Sequence, residues 1–299
     1  MLRWGSCHSP ALSWFALSLA AALTQAAQFA VVKGRAQAIP PLAIVAGTQL
    51  VAFTTWFLYF VFTHETFTPP SAVWPAVPAS AVLVFGMASL LARASARGDI
   101  SVVGPVFALS PIFTVLPDAL LSGALPSPLG WVGLLLAVAG TANLSGGKPG
   151  QGRLRALLGR RDALDALGAA VLLGGLAAVD RWGALAIGPS SYLVCSHGAA
   201  ALLTTSIVVI AQPRRLVASL SARNLVTIGI HGALGVTGTA MQTTALTEAP
   251  AAYVNAIRRL SAVAAVLLGS TLFREPDLGR RLTAALLACA GAACLLLAR

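Results

Sequence analysis

Charge is scarce in this 299-residue chain: Asp, Glu, Lys and Arg together make up 10% of it, against about 25% in soluble domains. Acidic residues are the scarcest, nine against twenty Lys and Arg, and aromatic residues reach only 7%. So little charge cannot clothe a water-soluble globule of this length. Cysteine is equally sparse. Cys7, Cys195, Cys289 and Cys294 lie mostly inside apolar runs, with no C-x-x-C pair and no His at ligand spacing. They read as small buried apolar residues, and a disulfide framework or zinc site is not expected. The few acids are scattered and form no nucleophile–base cluster, so an enzyme has little to work with. No cofactor motif stands out, and none is expected.

What fills the chain instead is apolar. Such residues make up 57%, and the mean hydropathy is +0.83. Apolar runs recur from end to end, which marks a polytopic membrane protein. The runs are too long and too little alternating for barrel strands, so they are expected to be helices, which alone satisfy their own backbone in hydrocarbon. Ten spans are expected, at 11–32, 39–62, 76–95, 100–121, 128–146, 163–180, 189–211, 224–247, 250–272 and 281–298. The first, following Arg3, also resembles a signal peptide. Its apolar run continues to Val32 and is echoed later in the chain, so it is read as a retained helix.

That echo is one of two internal matches. Ala30–Pro41 overlays Ala178–Pro189 at an offset of 148, repeating Ala30, Val31, Ala36, Ala38, Ile39 and Pro41, with Lys33 becoming Arg181. Asp99–Thr141 overlays Pro250–Ala292 at an offset of 151, with 11 identities in 43 positions. Both fit two halves of five helices, at 1–147 and 162–299, joined by a basic linker at 148–161. Five is odd, so the second half enters the membrane inverted relative to the first. Repeats of that kind place a substrate site between them near the midplane.

The net charge of +11 would suggest nucleic acid in a soluble protein. Here the basic residues sit in the gaps between spans, so no nucleic-acid partner is expected, and the bilayer itself is the contact. Loops after the odd-numbered spans hold fifteen Lys and Arg, and the opposite side holds only Arg3, Arg181 and Arg299. The positive-inside rule then puts the odd loops in the cytoplasm and both termini outside.

Polar residues inside the spans mark a candidate site. Arg258 and Arg259 lie well inside the ninth span, about 12 Å deep for Arg258 at 1.5 Å per residue. A central arginine costs about 2.5–3.5 kcal/mol on insertion scales, so it faces a polar cavity or a partner. Adjacent residues point about 100° apart on a helix, so one of the two is expected in the cavity, drawing an anionic group. The alternative is that both snorkel to an interface. Asn255 precedes them by one turn. The eighth span carries His231, Gly235, Gly238 and Gln242 on one face, the glycines suited to packing and Gln242 to the cavity. Gln25 and Gln28 lie on the first span, and Gln49 and His197 correspond at the 148 offset. All of these polar residues are cavity candidates, though they could equally be interhelical glue. Asp118 is the candidate intramembrane carboxylate, as a proton carrier or a partner for Arg258 and Arg259, while Asp180 is expected at an interface paired with the loop of Arg181. Pro105, Pro111 and Pro117 should bend the fourth span. The small ridges Gly133-x3-Ala137-x3-Thr141 and Ala284-x3-Ala288-x3-Ala292 should pack helices closely.

Ala256-Ile-Arg-Arg-Leu-Ser261, Gly269-Ser-Thr-Leu-Phe-Arg-Glu-Pro276 and Gly291 in the second half, with Gly104-Pro-Val-Phe-Ala-Leu-Ser-Pro111 and Gly133 to Gly140 in the first, resemble the EamA branch of the drug/metabolite transporter superfamily. The likeness spans essentially the whole chain through short, loose motifs. It departs at Ala124–Pro126, where family repeats usually carry the Glu that Glu275 supplies in the second half. The resemblance implies secondary transport of small metabolites or drugs, often efflux, through a central cavity lined by both halves. It also implies cytoplasmic termini, against the charge count. The reading is an all-α, ten-span protein of two inverted five-helix repeats. It sits in the plasma or inner membrane as a monomer or homodimer, and moves a small polar or amphipathic metabolite by alternating access. The rival readings are an integral membrane enzyme or flippase acting on a lipid-linked substrate, and a non-transporting membrane subunit.

Overall fold

The computed structural model describes residues 10–33, 39–97, 100–144, 160–214, 217, 220–261 and 278–298. Every regular element among them is helical, as apolar runs without water to satisfy their backbone require. In chain order they are α1 (Pro10–Lys33), α2 (Pro41–Thr63), a 3₁₀ turn (Pro70–Ala72), α3 (Ala76–Arg97), α4 (Ile100–Phe107), α5 (Ser110–Ser122) and α6 (Pro128–Leu144). There follow α7 (Arg161–Ile187), α8 (Pro189–Ala211), α9 (Ala222–Glu248), α10 (251–261) and α11 (Leu278–Leu297). Of these, α2, α3, α7 and α8 are long and apolar enough to cross a membrane on length and composition. The expected linker at 148–161 lies outside the described residues up to 159, as do the ninth span beyond Ser261 and the Gly269–Pro276 motif.

Local chemistry sets the ends. Pro41 and Pro189 open α2 and α8, where a missing N–H costs nothing. Ser221 caps α9 by accepting from the Asn224 backbone N–H at 3.3 Å. Gly188 alone joins α7 to α8, at φ 81°, a left-handed conformation that only glycine adopts freely.

The expected fourth span is two helices. It breaks at Ala108–Leu109 because Pro111 lacks an N–H and its ring crowds the carbonyl one turn back. Pro117 is accommodated inside α5.

Small residues set the packing. A Cβ on Gly133 would meet the Gly291 carbonyl at 3.0 Å, and one on Gly140 would meet the Ala284 carbonyl at 2.8 Å, so α6 and α11 cross antiparallel with backbones touching. Gly235 and Gly238 of α9 make room for the Gln28 and Thr24 side chains of α1, and Gly232 for that of Val51 of α2. The α9 glycines are therefore a packing face. Helices α3 and α7 run antiparallel, with Val73 and Ala76 against Ala184 and Ile187 at one end and Ala94 against Ala166 at the other. The largest buried apolar cluster gathers Trp14, Leu134, Leu246, Tyr253, Ile257 and Leu295 around α10.

Candidate functional site

A cavity of about 680 Å³ lies among α1, α2, α3, α7, α8, α9 and α10, with Phe107 of α4 at its wall. Most of its lining is apolar, including Val84, Met87, Leu91, Phe107, Leu173 and Leu176. Size and character suit a small organic molecule with an apolar body and a few polar groups.

Eight of the ten residues singled out from the sequence line it: Gln25, Gln28, Gln49, His197, His231, Gln242, Arg258 and Arg259. Both arginines are there, where only one was expected to face a lumen. The cavity is wide enough to receive two side chains about 100° apart. Arg258 donates to the Gln242 Oε1. Arg259 is 7% exposed, donates to the Gln25 Oε1 at 3.5 Å, and stacks over the Phe107 ring at 5.1 Å. That ring is placed by the break after α4, so Pro111 indirectly positions a cation–π partner. Ser261 also donates to the Gln25 Oε1, at 3.4 Å. The Nε of each arginine is buried without a protein partner. Two guanidiniums with donors to spare in an apolar chamber are suited to hold an anion.

The remaining polar residues fix one another. His197 Nδ1 meets Gln49 Oε1 at 2.5 Å, joining the two positions related by the 148 offset. His231 Nδ1 meets Thr48 Oγ1 at 2.8 Å, and Gln28 donates to the His231 carbonyl at 3.0 Å.

Two candidates lie elsewhere. Asn255 is 2% exposed and donates to Thr114 Oγ1 at 2.9 Å, tying α10 to α5 away from the cavity. Asp118 does not reach Arg258 or Arg259. Its Oδ1 accepts from Arg181 Nη1 at 3.1 Å and its Oδ2 from the Ala251 backbone N–H at 2.7 Å. The correction has a plain cause: an orphan N–H at the start of α10 and a nearby guanidinium offer better partners than side chains two turns further on. Arg181 completes the cluster by donating from Nε to the carbonyls of Leu246 at 3.0 Å and Ala249 at 3.1 Å. The end of α9, the start of α10, α5 and α7 are thus fastened at one end of the bundle.

With Arg181 turned that way, Asp180 points into the cavity instead of pairing at an interface. Tyr192 Oη and Ser80 Oγ donate to its Oδ1 at 2.8 and 3.1 Å. Tyr192 reaches it by lying across Gly183, where a Cβ would collide with the ring. The sequence reading missed Asp180, Tyr192 and Phe107. The available signal was periodicity, because Leu173, Leu176, Ala177 and Asp180 share one helical face.

Pro41, Ala92, Ser95 and Ala96 line the cavity at the start of α2 and the end of α3, and the Asp118–Arg181 pair stands outside its lining.

Comparison with known proteins fits this geometry. Residues 12–146 match the EamA-like transporter family. The likeness to this branch of the drug/metabolite transporter superfamily therefore holds over that stretch, and a multi-pass membrane transporter of the EamA kind is what the family implies. No curated protein matches the chain. A solved structure described only as the crystal structure of a protein has the same fold, with a TM-score of 0.73 at 20% identity over 97% of this chain and 99% of that one.

Proposed function

We propose that the whole chain is a secondary transporter in the plasma or inner membrane, moving a small amphipathic organic anion by alternating access between two inverted five-helix repeats, 1–147 and 162–299. The observation that carries this reading is the apolar cavity with Arg258 and Arg259 in its wall. A lumen filled with water tolerates such cations, and their spare donors recognise a carboxylate or phosphate.

Several contacts support the repeat. Gly133 and Ala284 are mates at the 151 offset, as are Gly140 and Gly291. Gly133 packs on Gly291 and Gly140 on Ala284, the exchange a twofold axis produces. Gln49 and His197 are mates at 148 and touch each other, which fits the same axis. The charge count makes the side at the end of α3 cytoplasmic.

The test is thermal unfolding of purified protein with panels of small carboxylates, phosphates, amines and neutral analogues. A ligand at a hundred times its Kd stabilises by about 2.7 kcal/mol. Anions should shift the wild type and leave Arg258→Gln unshifted. A shift confined to amines, or shared equally by Arg258→Gln, would remove the anion reading.

A further inference from the structure

We propose that the Asp180 carboxylate is a proton-binding site that fills together with the anion, so that a proton crosses with each substrate molecule. The inference rests on the anion reading above, and adds to it the coupling ion and the group that carries it.

Asp180 is the acid among the described cavity-lining residues. Both of its hydrogen bonds fall on Oδ1, from Tyr192 and Ser80, which leaves Oδ2 the freer oxygen of a carboxylate that lines the cavity. Among the described residues it forms no ion pair. Its chain neighbour Arg181 is committed to Asp118.

Two cations share the cavity with it. Arg258 and Arg259 share the cavity wall with Asp180, Arg258 bonded to Gln242 and Arg259 to Gln25 and stacked over the Phe107 ring, partners that carry no charge. On α8, Tyr192 is a donor to Asp180, Cys195 is a thiol one turn further on, and His197 is bonded to Gln49. On α9, His231 is bonded to Thr48, and Glu248 accepts from Ser13. Helix α3 contributes Ser80 here, its Arg97 being paired with Asp165 at the other end of the bundle. Helix α4 has no titratable side chain, and the acid of α5 is Asp118, already taken.

Asp180 and an incoming anion therefore compete for the field of the same two guanidiniums. The field of a guanidinium supports a carboxylate that shares its cavity. When a second anion sits on Arg258, it withdraws that support and adds a repulsion between like charges, and both effects favour a proton on Oδ2. The proton comes from water in the cavity, adds to Oδ2 without breaking any other bond, and leaves to water when the anion departs. By linkage, binding the anion takes up a proton, and lowering the pH tightens the anion.

Benzoate, a carboxylate on an apolar ring, is the probe. Full-length protein in detergent and weak buffer is titrated with benzoate while a pH dye reads proton uptake, and the Kd is measured at stepped pH. The wild type should take up close to one proton per benzoate bound, its Kd tightening up to tenfold for each pH unit lowered. Asp180→Asn should bind benzoate with no uptake and a flat pH profile. Benzoate binding by the wild type without proton uptake would overturn the proton site and leave the anion site standing. Undiminished uptake in Asp180→Asn would overturn it equally. No benzoate binding at all would overturn the anion reading and this inference with it.

Discussion

Replacing Asp118 by Leu tests whether the cluster joining α5, α7, α9 and α10 holds the fold together. The carboxylate is 1% exposed and its partner Arg181 13%. Removing it leaves the guanidinium enclosed without a counter-charge and takes the acceptor from the Ala251 N–H at the start of α10. Breaking one side of a buried pair costs about 3–5 kcal/mol. Arg181→Met should cost a similar amount, because the Asp118 anion is then stranded and the carbonyls of Leu246 and Ala249 lose their donor. The double variant Asp118→Leu/Arg181→Met strands neither charge, so its loss should fall short of the sum of the single losses by about 2 kcal/mol or more. Reversible unfolding in mixed micelles, followed by circular dichroism, gives all three values. Single losses below about 1 kcal/mol, or strict additivity in the double variant, would mean that the pair is solvated and does not fasten α5, α7, α9 and α10.

Other outcomes follow from the same geometry. Gln49→Leu removes the partner of a His197 ring whose Nε2 is already without one, and should destabilise by about 1–3 kcal/mol, read in the same unfolding assay. Gly140→Leu pushes a side chain into the α11 backbone at Ala284 and Ala288, and should abolish monodisperse expression on size-exclusion chromatography, whereas Gly229→Ala, where a Cβ meets open space, should not. Reporter fusions within 148–161 should read cytoplasmic and fusions at Arg299 external, as fifteen against three Lys and Arg demand. The reverse pattern would leave the structure intact and turn it over in the membrane.

The sequence carried the polar lining of the cavity further than its details. A Gln, His or Arg inside an apolar span has few places to go, so marking Gln25, Gln28, Gln49, His197, His231, Gln242, Arg258 and Arg259 as inward-facing needed only the cost of exposing them to lipid. Partner choice was not legible in the same way. Asp118 and Asp180 are both acids near the same end of their helices, and their fates depend on which way Arg181 turns. That is decided by the carbonyls of Leu246 and Ala249, distant in sequence and close only after folding. The offset between the halves could not help, because Asp180 corresponds to Val32, which carries no charge. Asn255 was drawn to the cavity by its spacing from Arg258. It faces α5 instead, because three residues on a helix is most of a turn but not the same direction. The break at Ala108–Leu109 was legible as a bend from its prolines, but not its consequence, the placing of Phe107 under Arg259.

The central claim is that Arg258 and Arg259 meet the transported molecule inside the cavity. Both line it, so Arg258→Gln and Arg259→Gln should each keep the helix while removing one charge. Uptake of radiolabelled benzoate into proteoliposomes, with matched expression and monodispersity, measures the claim directly. The account predicts saturable uptake by the wild type and a fall of about tenfold for each 1.4 kcal/mol of lost attraction in either variant, with the double variant at background. Wild-type rates in both single variants would contradict it, and would return the arginine pair to topology and packing alone.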